Sequence, residues 1–230
     1  MFNLCRMLRT LLVTTFAAAT LAAQQPGTGA VLVLYQPKPG MDRDFELGDQ
    51  RHLAWHRSIN DRWLWPGWTI DDGERQGFFL DATFFHPWTD FDHPNEPDAD
   101  EANWAINVEP YADVRSVMRY DVVGALTTLT PQQLASPYMT LAFVTVHPGM
   151  GAKFEAAISA TLRAVNTPHL VMRPVSGASE YIVLISARTL ADLPSNGGQI
   201  ESAMQSASAF VERTRTETWR YRPELSYVPR

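Results

Sequence analysis

The 230-residue chain has a single cysteine, Cys5, close to its N-terminus. It therefore offers no internal disulfide, no catalytic thiol downstream of that point and no zinc–thiolate site. No apolar run is long enough to cross a bilayer comfortably, which takes about 20 residues. Basic charge is also scarce, with 19 Lys and Arg against 25 Asp and Glu and a formal net charge of −6. An acidic surface repels phosphate backbones and anionic headgroups, so no nucleic-acid partner and no membrane-surface role is expected. The GxSxG nucleophile elbow, the phosphate-cradling GxxxxGKS/T and the GxGxxG dinucleotide fingerprint are all missing.

What is present begins with an export signature. Arg6 and Arg9 precede an apolar run from Leu11 to Ala19, and small residues then lead into Gln24-Gln25-Pro26-Gly27. That order is a secretory signal peptide over residues 1–23, with cleavage expected near Ala22 or Ala23 and a secreted or periplasmic location. Cys5 lies before the apolar run, so it cannot act as a lipoprotein cysteine, and no membrane anchor is expected after cleavage. Loss of Arg6 and Arg9 takes the formal charge from −6 to −8. The hydrophobic share of 45% is ordinary for a packed core.

The rest reads as one unit written twice. Pro39-Gly40-Met41 and Pro148-Gly149-Met150 lie 109 residues apart, and the same offset carries Phe45-Glu46 onto Phe154-Glu155. A β-rich run precedes each triplet, Ala30 to Gln36 and Tyr138 to Val146, and a helically spaced stretch follows, clearest at Phe154, Ile158, Leu162 and Val165. Two strands around a turn come next in each copy. A helix is then expected around residues 102–117, interrupted near Pro110, and another over residues 199–213. Last strands are expected near Arg119-Tyr120 and Arg220-Tyr221. The order is βαββαβ twice, an α+β fold. The expected organisation is a first ferredoxin-like unit over 24–129, a linker over 130–137 and a second unit over 138–230.

The strand followed by KPGMDRDFE or HPGMGAKFE, together with the doubled order of elements, resembles the dimeric alpha-beta barrel superfamily over nearly all of the chain after its leader. That superfamily includes antibiotic-biosynthesis-type monooxygenases, haem-degrading monooxygenases, chlorite dismutase relatives and NIPSNAP proteins. The resemblance implies two tandem ferredoxin-like units pairing into an intramolecular barrel, ligands held between helices and sheet, haem as a candidate cofactor, and a homo-oligomer as a candidate assembly. The Pro-Gly corners are structural in this reading, and one fold hosts many activities.

Candidate site residues cluster in the first copy. The 109-residue offset sets His56 opposite Val165, a member of the apolar stripe, so His56 is expected to face the sheet, with His52 one turn earlier on the same helix face. A pair at this spacing can ligate a metal, but HLAWH lacks the glutamate of HExxH and no third ligand is identifiable, so no metal is assigned. Aromatic residues are concentrated here too; Trp55, Trp63, Trp65, His86, Trp88 and Trp104 are the candidate ligand-binding set. The acidic segment His86 to Glu101 reads as a solvated loop able to act as a lid. Arg220, Tyr221, Arg222 and Tyr227 either seal the barrel or meet an anionic group.

Three functions compete on this basis. The first is binding of a small apolar or aromatic molecule between sheet and helices. The second is a monooxygenase-like enzyme, haem-dependent or cofactor-independent, with His56 as axial ligand or general base and His52 assisting. The third is a structural or oligomerisation module of the cell envelope.

Overall fold

The structure, a computed structural model, describes residues 27–177 and 180–229. The expected signal peptide lies outside these residues. Within them the first half runs β1 (Gly29–Pro37), α1 (Asp42–Ser58), β2 (Gly67–Ile70), β3 (Phe79–His86), α2 (Pro97–Asn107) and β4 (Ala112–Val122). The second half runs β5 (Tyr138–Val146), α3 (Gly151–Arg163), β6 (His169–Ser176), β7 (Glu180–Ala187), α4 (Leu193–Ser206) and β8 (Val211–Tyr221). Eight antiparallel strands close in the order β1-β3-β2-β8-β5-β7-β6-β4, with the helices outside. Closure occurs where the halves meet, at β2 against β8 and at β4 against β6.

The repeated corner owes its shape to its residues. In both copies the amide of the methionine bonds back three residues, Met41 to Lys38 O at 2.8 Å and Met150 to His147 O at 3.0 Å. Proline presets the first central position, and Gly40 and Gly149 supply the positive φ, 77° and 75°, that the second requires. Each turn then feeds directly into its helix, through Phe45 N to Met41 O and Phe154 N to Met150 O.

Strand alternation sorts the core into layers. Leu32, Leu80, Met118, Leu141, Ile182 and Trp219 point inward and fill the barrel. Leu134, from the 3₁₀ turn Pro131–Ala135, joins that interior, so the expected linker plugs it rather than hanging free. On the outside, Phe154, Ile158, Leu162 and Ile200 of α3 and α4 pack on Val144, Val171 and Val183 in a largely apolar layer, which also buries Asn196 against the Ser186 carbonyl. The matching layer of the first half is much smaller: Tyr35, Phe45, Phe79, Val108, Ala112 and Leu225.

The expected bounds of two helices are corrected. The segment read as an acidic loop folds into a 3₁₀ turn at Trp88–Asp92 and then into α2, which ends at Asn107 where a helix to residue 117 was expected. Pro97 at its first position and Asp98 and Asp100 in its first turn are favourable helix-start chemistry. Likewise α4 begins at Leu193 and ends at Ser206, and β8 takes over from Val211. Among the described residues no helix is long and apolar enough to cross a membrane. The C-terminal cations are taken up by carboxylates: Arg220 pairs with Asp71, and Arg222 pairs with Glu46 and Glu224. That contact set supports the sealing role.

Candidate functional site

The 109-residue offset shows what is unusual about the first helix layer. Where α3 buries Ile158, α1 buries Asp49; where the stripe ends in Val165, α1 has His56. Across the layer, Val33 pairs with Asp81 as Ala142 pairs with Val183, so Asp81 takes the place of a buried valine. Three apolar core positions of one half are thus titratable in the other. Burying such groups costs free energy, and perturbed ionisable clusters in a cleft are where function concentrates.

The helices themselves come together because of a glycine. Gly48 of α1 lies against Asn107 at the end of α2, where a Cβ would collide with the Asn107 carbonyl oxygen. This close approach brings Asp100, on the first turn of α2, over the histidines of α1. His56 Nε2 lies 3.3 Å from His52 Nε2, and Asp100 Oδ1 lies 3.4 Å from the His52 nitrogen and 3.7 Å from the His56 nitrogen. The three atoms form a nearly regular triangle, and Asp100 Oδ1 is shut off from solvent with no hydrogen-bond partner.

The outer contacts fix which nitrogen of each ring carries the proton. His56 Nδ1 donates to Asp61 Oδ2 at 2.8 Å. Asp61 also accepts from Trp65 Nε1 at 2.8 Å and from the Trp63 amide at 3.1 Å. Burial opposes its ionisation, but the donors from His56, Trp65 and Trp63 outweigh that and hold its pKa below the usual carboxylate value. On the other ring, Arg51 can only donate, so the Asn107 atom it meets at 2.9 Å is oxygen. The Asn107 amide nitrogen then donates to Asn103 Oδ1, which also accepts from His52 Nδ1 at 3.0 Å. With the Nδ1 atoms so engaged, the Nε2 atoms of both rings are turned toward Asp100. Desolvation lowers the His52 pKa to about 4, against a raising hydrogen bond from Asn103, so its imidazolium is disfavoured.

These groups stand at one side of a cleft of about 400 Å³ between α1, α2 and the outer face of β1 and β3. Val33, Tyr35, Leu53, Trp65, Trp104 and the rim prolines 94 and 97 supply apolar walls, and Asp81 sits among them. Burial raises the Asp81 pKa to about 7, with a lowering hydrogen bond from Tyr35 and a raising charge from Asp100. Asp49 is raised as well, by burial first and then by the charge on Asp81.

No protein-family profile matches the sequence, and no curated protein sequence matches it. Solved structures do. A "putative monooxygenase" from Lactobacillus acidophilus aligns over 88% of this chain and 97% of its own, with TM-score 0.58 and 10% identity. An anthrone oxidase-like protein aligns over 85% and 91%, with TM-score 0.55 and 12% identity. A chlorite dismutase mutant from Candidatus Nitrospira defluvii, in complex with cyanide, aligns over 87% and 93%, with TM-score 0.58 and 8% identity. The chain shares its fold with these proteins, which belong to the dimeric alpha-beta barrel superfamily. At these identities the likeness concerns fold alone.

Within this eight-stranded barrel the expected site residues divide into two groups. His52, His56, Trp65 and Trp104 line the cleft, and Trp55 stacks on His52 from behind, ring centroids 6.0 Å apart. Trp63, His86 and Trp88 gather elsewhere: Trp63 packs on His86 at 4.5 Å, Phe91 contacts both Trp63 and Trp88, and Trp88 donates to Asp121. Asp61, Asp81 and Asn103 escaped the sequence reading, Asp100 entered it only as part of the acidic segment, and the contact of Tyr227, whose hydroxyl donates to the Asp61 carbonyl at 2.6 Å, was not foreseen.

Haem does not fit these residues. An axial imidazole must present Nε2 to an open face as wide as a porphyrin, whereas both Nε2 atoms here face each other and Asp100 within 3.7 Å. The corresponding space in the second half is filled by Phe154, Ile158 and Leu162.

Proposed function

We propose that this chain is an enzyme that takes a small molecule with an aromatic or apolar body into the cleft between α1 and α2 and transfers a proton to or from it. The observation that carries this reading is the cleft itself, with aromatic walls on one side and a carboxyl and two imidazole nitrogens converging on the other. Small-molecule sites are commonly apolar pockets of roughly 300–1,000 Å³ with a few convergent polar groups. Asp81, titrating near neutrality, is suited to general acid or base work at ordinary pH. The oxidase and monooxygenase names borne by proteins of the same fold support phenol-like or enol-like substrates, whose reactions begin with loss of a proton.

The test uses 1-naphthol and anthrone as probes, followed by tryptophan fluorescence and by oxygen consumption. Saturable binding that Val33→Phe reduces at least about tenfold, by filling the cleft, is the expected result. Binding unaltered by that substitution in a variant that unfolds normally would place the ligand elsewhere and sink the reading.

The same proposal includes export and duplication. The basic and apolar leader supports a cleaved signal, and N-terminal sequencing of the protein recovered after expression with its leader should begin at residue 23 or 24; an intact Met1 would refute export. The matching corners and the repeated βαββαβ order support descent of the two halves from one unit.

A further inference from the structure

Three lone-pair donors cannot face one another across 3.3 to 3.7 Å in a half-buried site without something positive between them. A proton is the first candidate. Shared between a carboxylate and an imidazole, it draws the heavy atoms to about 2.7–2.9 Å. A proton on one Nε2 satisfies the 3.3 Å contact between the imidazoles, but the Asp100 separations of 3.4 and 3.7 Å are longer than a shared proton gives and leave Oδ1 without a partner. A metal ion is the second candidate, and its ligand atoms stand further apart because each is held to the ion and not to its neighbours.

The spacing can be tested against coordination geometry. Three atoms with these separations lie on a circle of about 2.0 Å radius, so an ion just above their plane would be about 2.1 Å from each, the usual Zn–N and Zn–O length. Ligand pairs on a tetrahedral ion at that length are about 3.4 Å apart, and adjacent pairs on an octahedral ion about 3.0 Å. The triangle agrees with the tetrahedral value.

The surroundings agree as well. Metal-bound histidines ordinarily donate their other ring nitrogen to a carboxylate or carbonyl, which fixes the tautomer and aims the lone pair. His56 does this to Asp61, itself held by Trp65 and Trp63, and His52 does it to Asn103, held by Asn107 and Arg51. The third atom is an orphan: Asp100 Oδ1 is buried with no partner of its own.

We infer that His52 Nε2, His56 Nε2 and Asp100 Oδ1 form a three-ligand site for a divalent transition metal, zinc by its spacing, with the fourth position open to the cleft. This deepens the enzymatic reading and rests on it only for the use of the ion, which as a Lewis acid would hold a substrate oxygen or water facing the cleft wall. Two histidines and one carboxylate with an open position are the usual ligand number of a catalytic zinc site.

The experiment is a titration of chelator-stripped protein with Co²⁺ and Zn²⁺, followed by visible absorption and calorimetry. One equivalent of Co²⁺ with the intense d–d bands of a tetrahedral site, displaced by Zn²⁺, is expected. His52→Ala and Asp100→Asn should each weaken binding by about 100-fold or more, and Asp61→Asn, which touches no metal, by about 10- to 100-fold. Unfolding of each variant in chelator is measured alongside; Asp100→Asn, which loses no existing hydrogen bond of Oδ1, serves if the histidine variant fails to fold. Absence of stoichiometric binding, or binding that survives Asp100→Asn in a folded protein, overturns the inference. Metal binding without turnover of any aromatic probe would leave the metal site standing and remove the enzymatic reading; probe binding without metal would do the reverse.

Discussion

Glu217→Ala is expected to lower unfolding free energy by about 3–5 kcal/mol, the usual cost of removing one partner from a buried ion pair. Glu217 is 2% exposed and points into one end of the barrel from β8. It accepts from Arg75 Nε and Nη2, both at 2.7 Å, from Arg215 Nη1 at 3.1 Å and from Trp219 Nε1 at 3.0 Å. Arg75 comes from the turn between β2 and β3 of the first half, and Arg215 and Trp219 belong to the second. One carboxylate therefore ties the halves at the seam where β2 meets β8. Its removal leaves Arg75 with no acceptor, over the ring of Phe143, while Arg215 keeps Glu180. The matched control is Glu74→Ala, which breaks the exposed pair with Arg213 and should change stability by less than about 0.5 kcal/mol. Urea unfolding of the three proteins at pH 7 decides it. A Glu217→Ala loss no larger than the Glu74→Ala loss would mean that apolar packing alone holds the seam.

The same residues explain what sequence reading could and could not see. The corners at Pro39-Gly40 and Pro148-Gly149 were legible because proline and glycine act locally: one fixes φ and the other permits a positive φ, whatever the tertiary setting. From those corners the βαββαβ order followed. The start of β8 was missed for a physical reason. Its inward-facing positions at the barrel end carry Arg215 and Glu217, so the apolar alternation that marks a half-buried strand is absent there. The start of α2 was missed because its prolines and acids read as an extended loop, although Pro97 followed by Asp98 and Asp100 is also a helix-start signal.

That second miss hid the third member of the site. His52 and His56 share a face by helical spacing alone, which a sequence displays. Asp100 reaches them only because α2 exists and because Gly48 lets it approach α1, and neither condition is a local property. The aromatic set divides between two places for the same reason. Composition shows that rings are abundant, but the pairing of strands decides that Trp65 and Trp104 face the cleft while Trp63 and Trp88 pack around Phe91. The 109-residue offset was the signal that could have gone further, since setting Asp49 against Ile158 already marks a carboxylate in a core stripe.

The Asp81 share of stability should fall as pH rises from about 4 to 7, and comparison with Asp81→Asn isolates it from His52, whose lowered pKa makes stability rise with pH between about 4 and 6.5. The sign follows from proton counts. The Asp81 pKa rises from 3.8 to about 7 on folding, so between those values the folded chain holds a proton that the unfolded chain has released. Stability then decreases with pH until Asp81 ionises in both states, and is constant above that. Asp49 acts in the same direction, its pKa raised by burial and by Asp81 and moderated by Arg222 and Arg57. A shift of three units corresponds to about 4 kcal/mol, and partial access of solvent to the Asp81 side chain reduces this to about 2 kcal/mol. Asp81→Asn should therefore be more stable than the parent at pH 8 by about that amount and nearly equal to it at pH 4, in thermal or urea unfolding. An unchanged slope would show that Asp81 is ionised at neutral pH and unable to carry a proton there. A slope that the substitution shifts toward greater stability at high pH would establish a carboxyl in the cleft wall that changes state near pH 7, held there at a cost in stability that the fold avoids at the corresponding Val183 of its other half.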